Sequence, residues 1–449
     1  MKTVKLLGYL FLGTTMSLGA VSCGPDNNNT PEKSGTEIGS GTGTGSGSGS
    51  GSKTETTLNQ EEMKNQIEIT GKKFVAQFNA DDFKPLQDLA KHIEKNYQSQ
   101  KQFEEVNKWA GDILKDLTTT ISRAHETERL YTIVIDASKF KGHFEFKNDR
   151  WTRTKDSNNL EFQFRDQNGQ DCLISLEVSG KMTKLKSKYF NDEDYNYVYD
   201  PISHRGERRL QRTHEHIIVV PEHVTLLVKQ GNKELLTTTV NTNLTTKGEL
   251  DLTADALEVN SKTVVLNKYE ITAKRAYYKG PGNAEADVEI KADGKSLLTA
   301  KAKANGQFTK DGFKNVGAVD VDVNILNELQ VKGNCKNGNK LVELTDKAEE
   351  AGYNKNNELF KKYLADANAL MDIHLYYNNS TKPSAQILWG PKEVENAYSK
   401  ENYLRLDLMI KFDDKTTYAI EDYFTENNFK GLIKEVTKLG DSFSKLLDF

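Results

Sequence analysis

The chain has 449 residues, and its 61 basic side chains stand against 65 acidic ones for a net charge of −4. That balance leaves no basic footprint and excludes a nucleic-acid-binding role. With only 3 cysteines, a disulfide-stapled scaffold is excluded as well.

Residues 1–22 read as a leader. Lys2 and Lys5 precede an apolar stretch from Leu6 to Val21, interrupted by Gly8, Gly13, Thr14 and Thr15. It is shorter than the ~20 apolar residues that a bilayer span needs, and the order of charge, apolar core and small residues is that of a signal peptide. Leu18-Gly19-Ala20-Val21-Ser22-Cys23 resembles a lipobox, which makes Cys23 the expected lipidation site and the point of membrane anchoring. Ala20 stands where a lipobox prefers Leu, and Ala20-Val21-Ser22 would also suit ordinary signal-peptidase cleavage. Gly24, not Asp, follows the cysteine; this argues against inner-membrane retention and leads us to expect the outer membrane, on either face. Residues 23–57 form a tether in which Gly alternates with Ser or Thr from 39 to 52. Such a segment has nothing apolar to bury, and its r.m.s. span is on the order of 30 Å.

Residues 58–127 have helical periodicity. Leu86, Leu89, Ile93 and Tyr97 fall three or four apart, as do Phe103, Val106, Trp109, Ile113 and Leu117. Asn79 and Asp81 supply N-cap chemistry ahead of them. From 128 to 340 the period becomes two, and turn signals recur. Asn168-Gly169, Gly231-Asn232 and Asp293-Gly294 each separate two strand-like runs, and Asn337-Gly338 reads as a looser fourth turn. Residues 231–237 can be laid on residues 293–299, a period of 62 that either a duplication or shared hairpin grammar would produce.

The strand faces are distinct. Ala286, Val288, Ile290 and Ala292 alternate with Asp287, Glu289 and Lys291; Ala300, Ala302 and Ala304 alternate with Lys301 and Lys303; Val319, Val321, Val323 and Ile325 alternate with Asp320, Asp322 and Asn324. Each strand therefore has one buried and one wet face. Residues 341–449 supply helices to cover the buried one, with apolar stripes at Leu359–Leu370 and Phe429–Leu447 and strands at Ile373–Tyr377 and Leu404–Phe412. The expected fold is α+β: a long, twisted antiparallel sheet with amphipathic helices on one face and an N-terminal helical unit.

Few residues offer chemistry. His214 and His216, two apart on a strand, would present both imidazoles to one metal ion, but nearby Arg205, Arg208, Arg209 and Arg212 disfavour a cation and no third ligand follows. Asp192, Glu193, Asp194 and Asp200 lie in a Tyr-rich stretch read as a solvated loop, without EF-hand spacing. Asp413 and Asp414 read as a hairpin turn. Cys172 and Cys335 leave one disulfide for geometry to decide. No catalytic constellation and no cofactor motif is legible.

Asn168-Gly169-Gln170-Asp171-Cys172, Val220-Pro221-Glu222-His223, Lys411-Phe412-Asp413-Asp414 and Glu421-Asp422-Tyr423-Phe424-Thr425 resemble stretches of uncharacterised lipoproteins of the Bacteroidales. The resemblance implies an outer-membrane or surface lipoprotein and attaches no mechanism. The expected function is a non-enzymatic binding or structural module with a protein, glycan or lipid partner. The alternatives are a carrier of lipid or another amphiphile beneath a curved sheet, and a metal-dependent hydrolase.

Overall fold

The computed structural model describes residues 58–97, 99–116, 118–122, 129–186, 192–200, 205–245, 256–279, 282–309, 312–396 and 400–447. The leader, Cys23 and the tether lie outside them. Three helices come first: α1 (Gln60–Val75), α2 (Lys84–Tyr97) and α3 (Glu104–Asp116). Asn59 begins α1 with a capping box, its side chain taking the Glu62 N–H while the Glu62 carboxylate takes its own.

The strands then build one ladder. The first group is β1 (Thr118–Ser122), β2 (Arg129–Asp136), β3 (Gly142–Lys147), β4 (Arg150–Lys155), β5 (Leu160–Arg165), β6 (Asp171–Lys186), β7 (Asp192–Asp200) and β8 (Arg205–Gln230). The second is β9 (Lys233–Thr245), β10 (Ala256–Val265), β11 (Tyr269–Lys279), β12 (Gly282–Ala292), β13 (Lys295–Thr309), β14 (Gly312–Lys314), β15 (Val319–Ile325) and β16 (Leu329–Cys335). Helices α4 (Gly338–Tyr353) and α5 (Asn357–Asn368) intervene before β17 (Met371–Tyr377), β18 (Ala385–Glu395), β19 (Asn402–Phe412) and β20 (Thr417–Ala419). A short α6 (Ile420–Tyr423) and the long α7 (Glu426–Leu447) end the chain. Hydrogen bonding runs β4–β3–β5–β6–β8–β9–β10–β11–β12–β13–β15–β16–β17–β18–β19–β20. The sheet is mixed but mostly antiparallel, since β2 with β8 and β3 with β5 are parallel.

The helices cover one face. One cross-strand row, Ala300–Val323–Val331–Leu375–Ala385–Phe412, lies beneath Met63 and Ile67 of α1 and Phe429, Leu432 and Ile433 of α7. Leu89 and Tyr97 of α2 and Val106 of α3 cover Phe144, Trp151, Phe164 and Cys172 at the other end of the ladder. Ala348 and Ala351 of α4 and Phe360 of α5 sit on Leu406. Thus the N-terminal helices divide between two parts of the sheet, and α1 pairs with the last helix of the chain. Between these layers Tyr269 stacks on Phe83, 5.0 Å between ring centres, and its hydroxyl donates to Asp82 at 2.6 Å.

The 62-residue period has a structural counterpart at the hairpin leucines Leu235 and Leu297, and Leu266 and Leu326 of the next hairpins match at a spacing of 60. Leu235 and Leu297 each occupy the extra position of a β-bulge, where Val228–Leu236 gives way to Lys229–Glu234 and Ile290–Leu298 to Lys291–Ser296. Leu266 donates its N–H to the Leu235 carbonyl at 2.9 Å, and Leu326 donates to Leu297 at 2.8 Å. Both donors hold positive φ, 56° and 54°, a costly conformation for a leucine. Three coincidences of this kind exceed what hairpin grammar requires. Strands β8 to β11 and strands β12, β13, β15 and β16 share one bulge-and-turn arrangement, here called the first and second copy.

Two expectations fail, and the open disulfide question is answered. Asn337-Gly338 is no hairpin turn; Asn337 caps α4, its side chain accepting the Lys340 N–H at 2.9 Å, as Asn does readily. The acidic stretch is not a loop, because Asp192–Asp200 is strand β7 paired with β8; its Tyr and Val content favours a strand. No disulfide joins Cys172 to Cys335, and both are buried free thiols. Eight strand spacings separate β6 from β16, about 38 Å along the sheet. Burial pushes the Cys172 thiol up to about 11 and raises that of Cys335. In a Cys23→Ala chain a maleimide is therefore expected to label neither thiol when folded and both in denaturant without reductant. Absence of labelling in denaturant would restore the disulfide.

Near both ends of the ladder several outward backbone groups are capped. On β4 the Trp151 N–H bonds the Gln102 carbonyl and the Arg153 N–H bonds the Glu105 carboxylate, each at 2.9 Å. On β18 the Asn368 side chain both accepts from and donates to the Trp389 backbone at 2.8 Å. On β19 the Leu406 N–H bonds Glu349 of α4 at 2.7 Å.

Candidate functional site: a charged trench on the uncovered face

Strand alternation that sends Ala and Val toward the helices sends charge to the opposite face. Pairing then sets those charges in rows across β12, β13, β15 and β16. One row is Glu285–Lys303–Asp320–Asn334 and the next is Asp287–Lys301–Asp322–Lys332. The rows are two residues apart along each strand, ~6.8 Å, and three strand spacings make them ~14 Å long. Between them runs a trench of about 540 Å³ whose floor is the backbone of Ala286, Ala302, Val321 and Gly333.

The two halves differ in charge satisfaction. On the β12–β13 side Lys303 meets Glu285 at 3.1 Å and Lys301 meets Asp287 at 3.7 Å. Both pairs are solvent-washed, and each contributes on the order of 0–1 kcal/mol. On the β15–β16 side Asp322 accepts from Gln330 at 2.8 Å, while Asp320 and Lys332 have no ion-pair partner among the described residues. The Asp287 Oδ1 is buried without a hydrogen-bond donor, a cost in itself. An ion network, Lys262–Glu270 at 2.8 Å, Glu270–Lys291 at 3.5 Å and Lys291–Glu289 at 3.3 Å, continues the charged face beyond the trench. Hydrogen bonding to Lys262 holds the Glu270 carboxyl below its ordinary value.

The expected site residues are dispersed. His214 and His216 both lie in β8, opposite Tyr131 and Ile133 of β2, and their side chains lie outside the described residues. Among the described residues no three His, Cys, Asp or Glu side chains are disposed to hold a metal ion. Asp413 and Asp414 form the β19–β20 turn as expected, Asp414 accepting from the Thr416 N–H at 2.9 Å. No described helix is long and apolar enough to cross a membrane. A second groove, about 750 Å³, lies between α1 and α7 and mixes Lys72, Lys434 and Lys438 with Asp81 and Glu435.

The trench residues were visible in the sequence as the wet side of amphipathic strands. What the sequence lacked was register, which turns separate acidic and basic strands into facing columns. No family model, curated protein or solved structure matches the chain.

Proposed function

We propose that this protein is a non-enzymatic binding module of the cell envelope, held at the outer membrane by a lipid on Cys23. It meets its partner through the charged trench. The observation that carries this reading is the unpaired Asp320 and Lys332 in a trench built on a hydrogen-bonded sheet. Strand-borne side chains hold their positions better than loop-borne ones, which suits a recognition surface. The tether of residues 23–57 supports the same role, since it lets an anchored module clear the membrane surface.

One observation favours a carrier of lipid or another amphiphile. Leu257 and Ile271, on the helix side of β10 and β11, are 39% and 47% exposed. Native mass spectrometry of the Cys23→Ala chain, exported through its host's envelope, separates the readings. A bare protein mass, unchanged on denaturation, is the expected result. A lipid mass lost on denaturation would replace the binding module with the carrier; a lost metal mass would point to His214 and His216 and a metal-dependent hydrolase.

A further inference from the structure

The repeated arrangement shows which part of the charged face the fold does not require. Transferring the trench positions to the first copy places His223 and Thr225 opposite Glu285 and Asp287. Thr239 and Asn241 correspond to Lys301 and Lys303, and Asn260 and Lys262 to Asp320 and Asp322. Not one carboxylate recurs. The first copy forms the same bulge and the same turn with Lys262 as the one charged side chain among these six positions, so the alternating columns belong to the second copy alone and the ladder does not need them.

We infer that the trench binds an extended peptide segment carrying both amino and carboxylate side groups. This rests on the binding-module reading and names its ligand class. The unpaired Asp320 calls for a cation and the unpaired Lys332 for an anion, one strand spacing and one row apart. A ligand of a single sign would meet one of them and be repelled by the other, because like charges brought together oppose binding. The ~14 Å length holds about four extended residues at ~3.3 Å each. A sugar is the poorer fit: among the described residues no aromatic side chain lines the trench to receive the apolar face of a sugar ring. Strand addition is also disfavoured at β4, β18 and β19, since the outward N–H groups of Trp151, Arg153, Trp389 and Leu406 already have acceptors.

The test uses the full Cys23→Ala chain and four probes: a fluorescent peptide of alternating Lys and Glu, oligolysine, oligoglutamate and chitotetraose. The alternating peptide is expected to bind best, and to weaken as salt rises and the Debye length shrinks. Lys332→Glu and Asp320→Lys, both outward on the sheet, should each lower its affinity about tenfold with an unchanged melting midpoint. The double variant Asp320→Lys/Lys332→Glu should regain affinity, since an alternating ligand shifted by one residue meets the exchanged charges again. Stronger binding of either single-sign peptide would overturn the inference, as would failure of any peptide to bind at millimolar concentration. Chitotetraose binding lost in Lys332→Glu would overturn it too, yet leave the binding module intact. A lipid or metal mass in the native spectrum is the separate result that removes the module itself.

Discussion

Gly352→Val is expected to lift α4 off β19 and cost about 3 kcal/mol or more, the upper range for steric overpacking. A Cβ at Gly352 would lie 2.1 Å from the Leu404 carbonyl oxygen and 3.0 Å from a Phe360 ring carbon. The first obstacle is backbone of a strand paired along its length with β18 and cannot rotate aside. Helix α4 must move instead, and Ala348, Ala351 and Leu406 lose their shared contact with Phe360. Glu349 would leave the Leu406 N–H at the same time, so the β19 edge would open and the chain should aggregate near its melting point. A shifted urea midpoint with turbidity on heating would show both effects. Gly111→Ala in α3 is the control: its Cβ would meet nothing within 4 Å, and a helix-interior Gly→Ala change should stabilise by about 1 kcal/mol. Equal behaviour of the two variants would refute the close approach of α4 to β19.

Tyr269→Ala should destabilise by about 3–5 kcal/mol, the usual cost of deleting a buried aromatic ring. Its ring fills the space among Phe78, Phe83, Ala292 and Leu297, where α1 and α2 meet the sheet. Its hydroxyl donates to Asp82 and accepts the Asn79 N–H at 3.2 Å. Tyr269→Phe keeps the ring and separates the polar part, expected at about 1 kcal/mol. The pH dependence identifies that part. Bonds from Lys268 at 2.7 Å and then from Tyr269 hold the Asp82 carboxyl below its ordinary value of 3.8. A depressed carboxyl stabilises the fold above the unfolded value, and that contribution is lost as pH falls below about 4. The same bond to Asp82 raises Lys268 above 10.5, so its share is present below that pH and lost above it. Urea midpoints should therefore fall less steeply from pH 5 to pH 3 in Tyr269→Phe than in the parent. Parallel slopes would mean that the tyrosine hydroxyl does not act on Asp82.

Much of the architecture was legible because apolar alternation in this chain is clean. Ala286 to Ala292, Ala300 to Ala304 and Val319 to Ile325 each announce a strand and its inward face, and the stripes of α5 and α7 announce their cover. The turns at Gly169, Gly231 and Gly294 were legible for the same local reason, since each holds positive φ where glycine costs nothing. Elements set by distant contacts were not. The equally tight turns at Leu266-Asn267 and Leu326-Asn327 rest on a strained leucine that no turn rule selects, held there by the bulge leucine of the preceding hairpin. Strand β18 carries Pro391 and lacks a clean two-residue pattern, yet pairs along its whole length with β19. The trench was illegible for a related reason: its residues come from four strands, and only their register makes them neighbours.

The capped ladder ends bear on how such a protein behaves when crowded. A surface on which many copies share one plane brings their folded parts together at high local concentration. Sheets with bare margins would then zip side to side into filaments, and the coat would stiffen irreversibly. Here backbone donors on β4, β18 and β19 are taken by groups from the same chain, the Gln102 carbonyl and Glu105 on the first, Asn368 on the second and Glu349 on the third. Crowding is thereby less able to drive pairing along these strands, and copies brought together would keep their broad faces free.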